Sequence, residues 1–132
     1  MTDVHEALRA YVEAAHGEPV VWGASDCSAW SAQWVRHITG RDMTLPRWET
    51  SEEAYALIAE AGSLDVLWTD ALLTTSLRVT GDPQPGDVGV IDTGRFGQVG
   101  GIFLDGGYFA WRAENGTRFL IPRQIVKAWS IQ

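Results

Sequence analysis

The sequence predicts an α+β fold in which N-terminal helices pack on a curled antiparallel β-sheet or small barrel. In the first half of the chain, apolar residues recur at helical spacing between capping residues. The second half consists of short runs rich in β-branched and aromatic residues, and turns of hairpin size separate these runs. A chain of 132 residues has the size of one domain, so we expect a single domain over residues 1–132.

Capping residues mark the starts of the first, third and fourth predicted helices. Thr2 is a candidate N-cap for the first helix, whose apolar stripe runs from Val4 to Ala15. The capping-box pair Thr50 and Glu53 marks the start of the third helix, and Ser63 marks the start of a short fourth one.

The second predicted helix carries Cys27, the single cysteine of the chain. Ser25 and Asp26 are both candidate N-caps and Gly40 is a candidate C-terminal stop, which places Cys27 in the first turn. The apolar stripe of this helix consists of Cys27, Trp30, Trp34, Val35 and Ile38. The free amides and the dipole at a helix N-terminus stabilise a thiolate, as they do in many cysteine nucleophiles. The alternative is that Cys27 is a small buried hydrophobic residue.

The second half of the chain predicts a series of short strands. Their expected ranges are Leu77 to Val79, Val88 to Ile91, Val99 to Leu104, Tyr108 to Arg112, Arg118 to Ile121 and Ala128 to Ile131. Residues 105–107 and 114–116 are predicted hairpin turns, because Gly and Asn accept positive φ at low cost. We expect an antiparallel, strongly curled sheet on which the Cys27 helix packs through Trp30 and Trp34.

Composition restricts the classes of partner and cofactor. The net charge is -7 and Lys and Arg form no run, which argues against nucleic acid or an anionic membrane as the main partner. No apolar run approaches the ~20 residues that span a bilayer, so no membrane insertion is expected. The N-terminus lacks a signal-peptide pattern, and we expect synthesis in the bacterial cytoplasm. Three scattered His and one Cys have no metal-ligand spacing, so neither a metal nor a cofactor is expected.

The motif Trp-Gly-x-x-Asp-Cys at residues 22–27, followed by a helix with aromatic residues, resembles the nucleophile segment of the NlpC/p60 family of papain-like cell-wall cysteine peptidases. With Thr-Gly-Arg-Asp at 39–42 and Lys-Ala-Trp-Ser-Ile at 127–131, the chain is similar to an NlpC/p60-like group of phages, prophages and gene-transfer particles, found next to tail genes. The resemblance extends from about residue 20 to the end and implies the papain-like NlpC/p60 fold.

The resemblance assigns the nucleophile position to Cys27, but it indicates that the catalytic base is replaced. In the family the base is a histidine at the start of the second barrel strand, and alignment on Gly-Ile-Phe at 101–103 places Val99 there. Gln98 precedes it and is the nearest polar candidate, although it could face the site only through a bulge at Gly97 or Gly100. Without a base to activate the thiol, efficient peptide hydrolysis is not expected.

At two further positions, this sequence lacks the residue that is typical of the family. The third position of the site falls on Trp111, and the tyrosine that often precedes the Trp-Gly pair falls on Val20. What remains is a groove lined by Trp22, Trp30 and Trp111, which we predict to be a binding surface.

None of the three histidines is expected to replace the missing base. His37 is ten residues beyond Cys27 on the same helix, about 15 Å along its axis at 1.5 Å per residue, and on another face. His5 lies on the exposed part of the first helix, and His16 lies at the C-terminus of that helix. We therefore expect Cys27 to be mostly buried, with no imidazole nitrogen within about 3.5 Å of its sulfur.

Two functions follow as hypotheses. The first is a structural or assembly component of a phage or phage-like tail, near the tip, that docks onto other tail or particle proteins and resides in the particle. The alternative is a peptidoglycan-cleaving cysteine endopeptidase with Cys27 as its nucleophile, for which peptidoglycan is the implied partner. A cytosolic domain of another role is the third possibility.

Overall fold

The computed structural model of the protein describes residues 3–113 and 115–132. Its helices are α1 (Val4–Ala15), α2 (Cys27–Thr39), α3 (Ser51–Ala61) and α4 (Leu64–Leu72), and a 3₁₀ turn follows at Leu73–Thr75. Its strands are β1 (Val88–Asp92), β2 (Gln98–Phe103), β3 (Phe109–Ala113), β4 (Gly116–Leu120) and β5 (Gln124–Trp129), with a 3₁₀ turn at Asp105–Gly107. The helices precede the strands, so the predicted α+β class is confirmed. Within the described ranges, no helix has both the length and the apolar character needed to cross a membrane.

The five strands form one sheet in the order β4-β3-β2-β1-β5, and every pairing is antiparallel, as predicted. Val88 in β1 pairs with Ile102 in β2 on one side and with Trp129 in β5 on the other. The register between β1 and β5 shifts between Val90 and Ile91, and such an irregularity increases the local twist. In the part of the chain that the structure describes, β4 and β5 do not pair, so the sheet stays open and the predicted small barrel does not close.

Strands β2 and β3 pair over only a short distance. Their register joins Ile102 to Ala110 and Phe103 to Phe109. Among the described residues, the beginning of β2 pairs with β1 alone and the end of β3 pairs with β4 alone. Helix α2 packs on both strands and has its N-terminus where they separate. This separation is the feature of the fold that positions the candidate site.

Helices α1, α2 and α4 cover one face of the sheet and enclose the main hydrophobic core. Trp34 is fully buried there, and its Nε1 donates a 2.7 Å hydrogen bond to the carbonyl oxygen of Gly86, in the turn before β1. Trp30 is buried in the same core, as predicted, and its ring stacks on Tyr11 of α1. A second cluster on the other face of the strands consists of Ile91, Phe103, Phe109, Trp111 and Ala128, and Cys27 and Val99 pack against it.

Two of the predicted turn and cap residues, Thr2 and Glu114, lie outside the described residues. The N-cap of α1 is Asp3, whose carboxylate accepts hydrogen bonds from the backbone amides of His5 and Glu6. A short carboxylate at this position satisfies donors that the first turn leaves free, so α1 begins at the residue after it.

Two strand predictions need correction. The strand predicted over residues 77–79 is wrong, because only Val79 forms a bridge, with Trp129 at the end of β5. The strand predicted over residues 128–131 instead spans Gln124–Trp129, because the ladder between β1 and β5 continues to the end of β1.

Candidate functional site at the Cys27 cavity

The start of α2 is fixed by Asp26, which is the N-cap rather than Ser25. Its Oδ1 accepts a hydrogen bond from the Ala29 amide (3.2 Å), and its Oδ2 accepts from the Gly23 amide (2.6 Å) and from Trp48 Nε1 (2.7 Å). The carboxylate is buried, and these three donors replace the water it has lost. Asp26 therefore joins the loop before α2, the helix itself and the segment before α3, and it holds the next residue at the first helical position.

That next residue, Cys27, borders a cavity of about 550 Å³ that lies between the sheet and the helices α2, α3 and α4. Its aromatic lining consists of Trp22, Trp48, Tyr55, Phe96 and Trp111. Where α3 meets α4, the lining is aliphatic and consists of Ala54, Leu57, Ile58, Leu64 and Leu67. The rings form two pairs, Trp22 with Tyr55 at 6.1 Å between centroids and Phe96 with Trp111 at 6.3 Å.

Cys27 is mostly buried, as predicted: it packs against the second cluster, and the rest of its surface borders the cavity. Burial raises the pKa of the thiol and is the largest effect. A hydrogen bond with the Gly100 backbone lowers this pKa, the negative charge of Asp26 raises it, and hydrogen bonds with Ser28 lower it. The net pKa lies above the usual value. The lowered pKa expected of a nucleophile at a helix N-terminus is therefore not found.

Gln98 and Val99, at and beside the predicted base position, both line the cavity. Val99 packs against the same cluster as Cys27, and the Gln98 Oε1 accepts a hydrogen bond from the Asp65 amide (3.2 Å). The prediction that Gln98 needs a bulge to face the cavity is wrong, because Gln98 pairs regularly with Asp92. As the first residue of β2, Gln98 reaches the cavity from the end of the strand. Neither an amide nor an isopropyl group can serve as a general base.

The three histidines lie away from the cavity, and none of them is part of its lining. The His5 ring lies 3.1 Å from the Asp105 carboxylate at an exposed position, and His16 follows the last residue of α1. The His37 ring stacks on Tyr11, with 6.4 Å between the ring centroids. Across residues 3–113 and 115–132, no three His, Cys, Asp or Glu side chains are grouped so that they could hold a metal ion.

Two of the three tryptophans predicted to line a groove are in the cavity, Trp22 and Trp111. Trp30 is not, and this part of the prediction is wrong. It lies almost one turn beyond Cys27, where α1 covers the helix, and its ring stacks on Tyr11 with 5.4 Å between centroids. The apolar stripe correctly indicated that Trp30 is buried, but it did not indicate which neighbour buries it.

Arg112 lines the cavity as well, and no sequence motif indicated its role. Its side chain is buried and donates hydrogen bonds to the carbonyl oxygens of Ala15 (2.7 Å) and Glu18 (2.6 Å). It also donates to the Ser25 carbonyl (3.4 Å) and to the Thr117 hydroxyl (2.9 Å). The guanidinium thereby holds the connection between α1 and α2 against the β3–β4 hairpin, so its role is to maintain the wall of the cavity.

Sequence reasoning also missed Tyr55, Phe96 and Arg118. Phe96 is an aromatic residue in an otherwise polar, Gly-containing loop, and this unusual position could have indicated a role at the site. The guanidinium groups of Arg95 and Arg118 lie 5.3 Å and 5.0 Å from the centroid of its ring. Tyr55 and Arg118 carried no signal, because only the tertiary fold brings them to the cavity.

Comparison with known proteins is consistent with this geometry. Among solved structures, the chain is similar to the NlpC/p60 domain of the peptidoglycan hydrolase SagA, with a TM-score of 0.55 and 18% sequence identity. The alignment covers 98% of this chain and 99% of that one, and it confirms the NlpC/p60-like fold. A search of the curated proteins found no match. A family model described as "Domain of unknown function (DUF6950)" matches residues 1–131, and the chain belongs to that family.

Proposed function

We propose that the protein is a structural or assembly component of a phage or phage-like tail, near its tip, and that it acts by docking onto other tail or particle proteins rather than by hydrolysis. The observation that carries the proposal is the chemistry around Cys27. The thiol borders a cavity without a histidine in its lining, and Val99 and Gln98 lie where the base is expected.

The thiol is poorly suited to act as a nucleophile. Its raised pKa keeps it protonated near neutral pH, and the thiolate is the form that attacks a carbonyl. The absence of a general base removes a further contribution of roughly 10²–10⁴-fold to the rate. The Asp26 carboxylate is close by, but it already accepts hydrogen bonds from the Gly23 and Ala29 amides and from Trp48 Nε1. The geometry supports a binding cavity built on a peptidase scaffold.

Protein surfaces are the partners that the rest of the molecule favours. The net charge of -7 disfavours polyanions, and Tyr55 and Phe96 at the cavity are 63% and 48% exposed. Exposed aromatic side chains are frequent anchors in protein interfaces. The tail assignment rests on the resemblance of residues 22–27, 39–42 and 127–131 to the tail-associated group, and it implies synthesis in the cytoplasm followed by residence in the particle.

The proposal is tested by comparing wild type with Cys27→Ala in tail assembly and infectivity, alongside a digestion assay on purified peptidoglycan. We expect both proteins to support assembly equally and neither to release muropeptides. The matched control is Ser31→Ala, at the position one turn further along α2, which reports the effect of a small substitution in this helix. An assembly defect confined to Cys27→Ala would contradict the proposal.

A peptidoglycan-cleaving cysteine endopeptidase is the second candidate function. It is favoured by one observation: the thiol at the start of α2 borders an open cavity in a fold that is shared with a domain of a peptidoglycan hydrolase. Release of muropeptides by wild type, and its loss in Cys27→Ala, would establish this function in place of docking.

A further inference from the structure

Different parts of the Cys27 cavity have different chemistry. The lining where α3 meets α4 is aliphatic, whereas Arg118 lines the cavity on the side of the β3–β4 hairpin. The Arg118 guanidinium lies 5.0 Å from the centroid of the Phe96 ring, and Arg95 lies 5.3 Å from the same centroid. Three of the ten basic residues, Arg95, Arg112 and Arg118, therefore lie in or beside the lining of one cavity in a chain with a net charge of -7.

The two arginines beside Phe96 are arranged to receive an anion. Each guanidinium lies over the Phe96 ring, and its N–H groups can bind a carboxylate. Among the described residues, no Asp or Glu lies within ion-pair distance of Arg95 or Arg118. Arg112 is different, because its N–H groups bind backbone carbonyls and the Thr117 hydroxyl. Arg118 is thus the cationic group that can meet a ligand in the cavity.

Polar and aromatic groups complete the lining. Ser51, Gln98 and Asn115 provide hydrogen-bonding groups, and the ring pairs Trp22–Tyr55 and Phe96–Trp111 provide flat apolar surface. The Gln98 Oε1 accepts from the Asp65 amide, and the same side chain has an NH₂ group that can donate to a carbonyl of a ligand. An extended polypeptide combines amides with apolar and acidic side chains, and it matches all three parts of the lining.

We propose that the cavity binds an acidic peptide segment of a partner protein, with an aliphatic side chain between α3 and α4 and a carboxylate on Arg118. This inference rests on the proposed docking function and names the chemistry of the docked segment. A glycan strand offers no aliphatic side chain for the α3–α4 part, and a fatty acid offers no amides for the polar groups. The peptide is therefore the occupant that the lining favours.

The test uses the ¹⁵N-labelled 132-residue chain and synthetic 12-residue Gly/Ser peptides with one Leu and one Asp at separations of one to six residues. Each peptide has a matched version with Lys in place of Asp. We expect at least one acidic peptide to bind saturably and to shift the indole N–H signals of Trp22 and Trp111. The signals of Trp30 and Trp34, which are buried in the main core, should not shift. Added salt should weaken the binding.

Arg118→Ala should lower the affinity for the acidic peptide at least about fivefold, since a charge-assisted contact is lost. Arg123→Ala, at an exposed arginine outside the cavity lining, is the matched control and should bind as wild type does. The proposal is wrong if no acidic peptide binds, if the Lys versions bind equally well, or if Arg118→Ala has no effect. It is also wrong if decanoate or a purified muropeptide binds the cavity more tightly than every peptide.

These outcomes separate this inference from the proposed function. A chain that assembles into particles without binding acidic peptides contradicts the peptide site alone, whereas cysteine-dependent release of muropeptides contradicts docking itself.

Discussion

Trp48 Nε1 lies 2.7 Å from Asp26 Oδ2, and both side chains are buried. The contact joins the residue before Cys27 to the segment that leads into α3, so it links the thiol to the opposite wall of the cavity. Because the same carboxylate also accepts hydrogen bonds from the Gly23 and Ala29 amides, the geometry at the start of α2 depends on one side chain.

Asp26→Asn should therefore destabilise the protein although it preserves the size of the side chain. An amide has a single oxygen for three donors, and its NH₂ group would face either the Ala29 N–H or the N–H groups of both Gly23 and Trp48. We expect the free energy of unfolding to fall by about 2–4 kcal/mol, from the lost cap and the lost charge-assisted hydrogen bonds. Urea unfolding measures the change. The exposed Asp42→Asn is the control, and a loss below about 1 kcal/mol for Asp26→Asn would contradict the role assigned to it.

Arg112→Lys should also be costly, although the positive charge is retained. The guanidinium spans the carbonyls of Ala15 and Glu18 together with the Thr117 hydroxyl, and a single ammonium group cannot reach all of these acceptors. We expect a loss of about 2–3 kcal/mol in urea unfolding and faster proteolysis in the connection between α1 and α2. Arg123→Lys, at an exposed position, should change the free energy of unfolding by less than about 0.5 kcal/mol. Equal stability of the two variants would refute the prediction.

Much of the fold was predictable because local signals agree with the tertiary structure. Asp26, one of the two predicted N-cap candidates, and Gly40 flank α2, and Gly40 adopts the positive φ of 74° that a helix C-cap commonly requires. Short runs separated by hairpin turns gave the antiparallel sheet. The strand prediction at 77–79 was wrong because pairing there requires this segment to run alongside β5 for several residues. A three-residue run carries no information on such long-range pairing.

The candidate site was less predictable, since its residues converge only in three dimensions. The motif around Cys27 located one wall of the cavity. Tyr55 on α3 and Phe96 in the β1–β2 loop belong to other walls, and no sequence spacing relates them to Cys27. Periodicity also could not distinguish Trp30, which α1 covers, from Trp22, which borders the cavity. Helical spacing predicts burial but not the identity of the neighbour.

Gly100→Ala should disrupt the contact between β2 and the helices. A Cβ at Gly100 would overlap the ring of Trp68, which is fully buried and held by a 2.9 Å hydrogen bond from its Nε1 to the Ser28 hydroxyl. Overpacking of this kind costs about 1–3 kcal/mol, and the fixed ring places the expected loss near the upper end. The control is Gly81→Ala, where a Cβ meets open space. Thermal unfolding of the two variants measures the difference, and a stable Gly100→Ala protein would show that Trp68 can move aside.

The raised pKa of Cys27 predicts slow, strongly pH-dependent alkylation by iodoacetamide. The folded chain holds the thiol proton more tightly than the unfolded chain. The thiol therefore stabilises the fold below its unfolded pKa of about 8.5, and this contribution is lost as the pH rises through the folded pKa. At pH 7.5 we expect slower alkylation in the folded protein than in the same protein in urea, with a midpoint at higher pH. Mass spectrometry follows one site, because Cys27 is the single cysteine. A rate that is already high at pH 6 and constant to pH 9 would indicate an activated thiolate and would favour the peptidase.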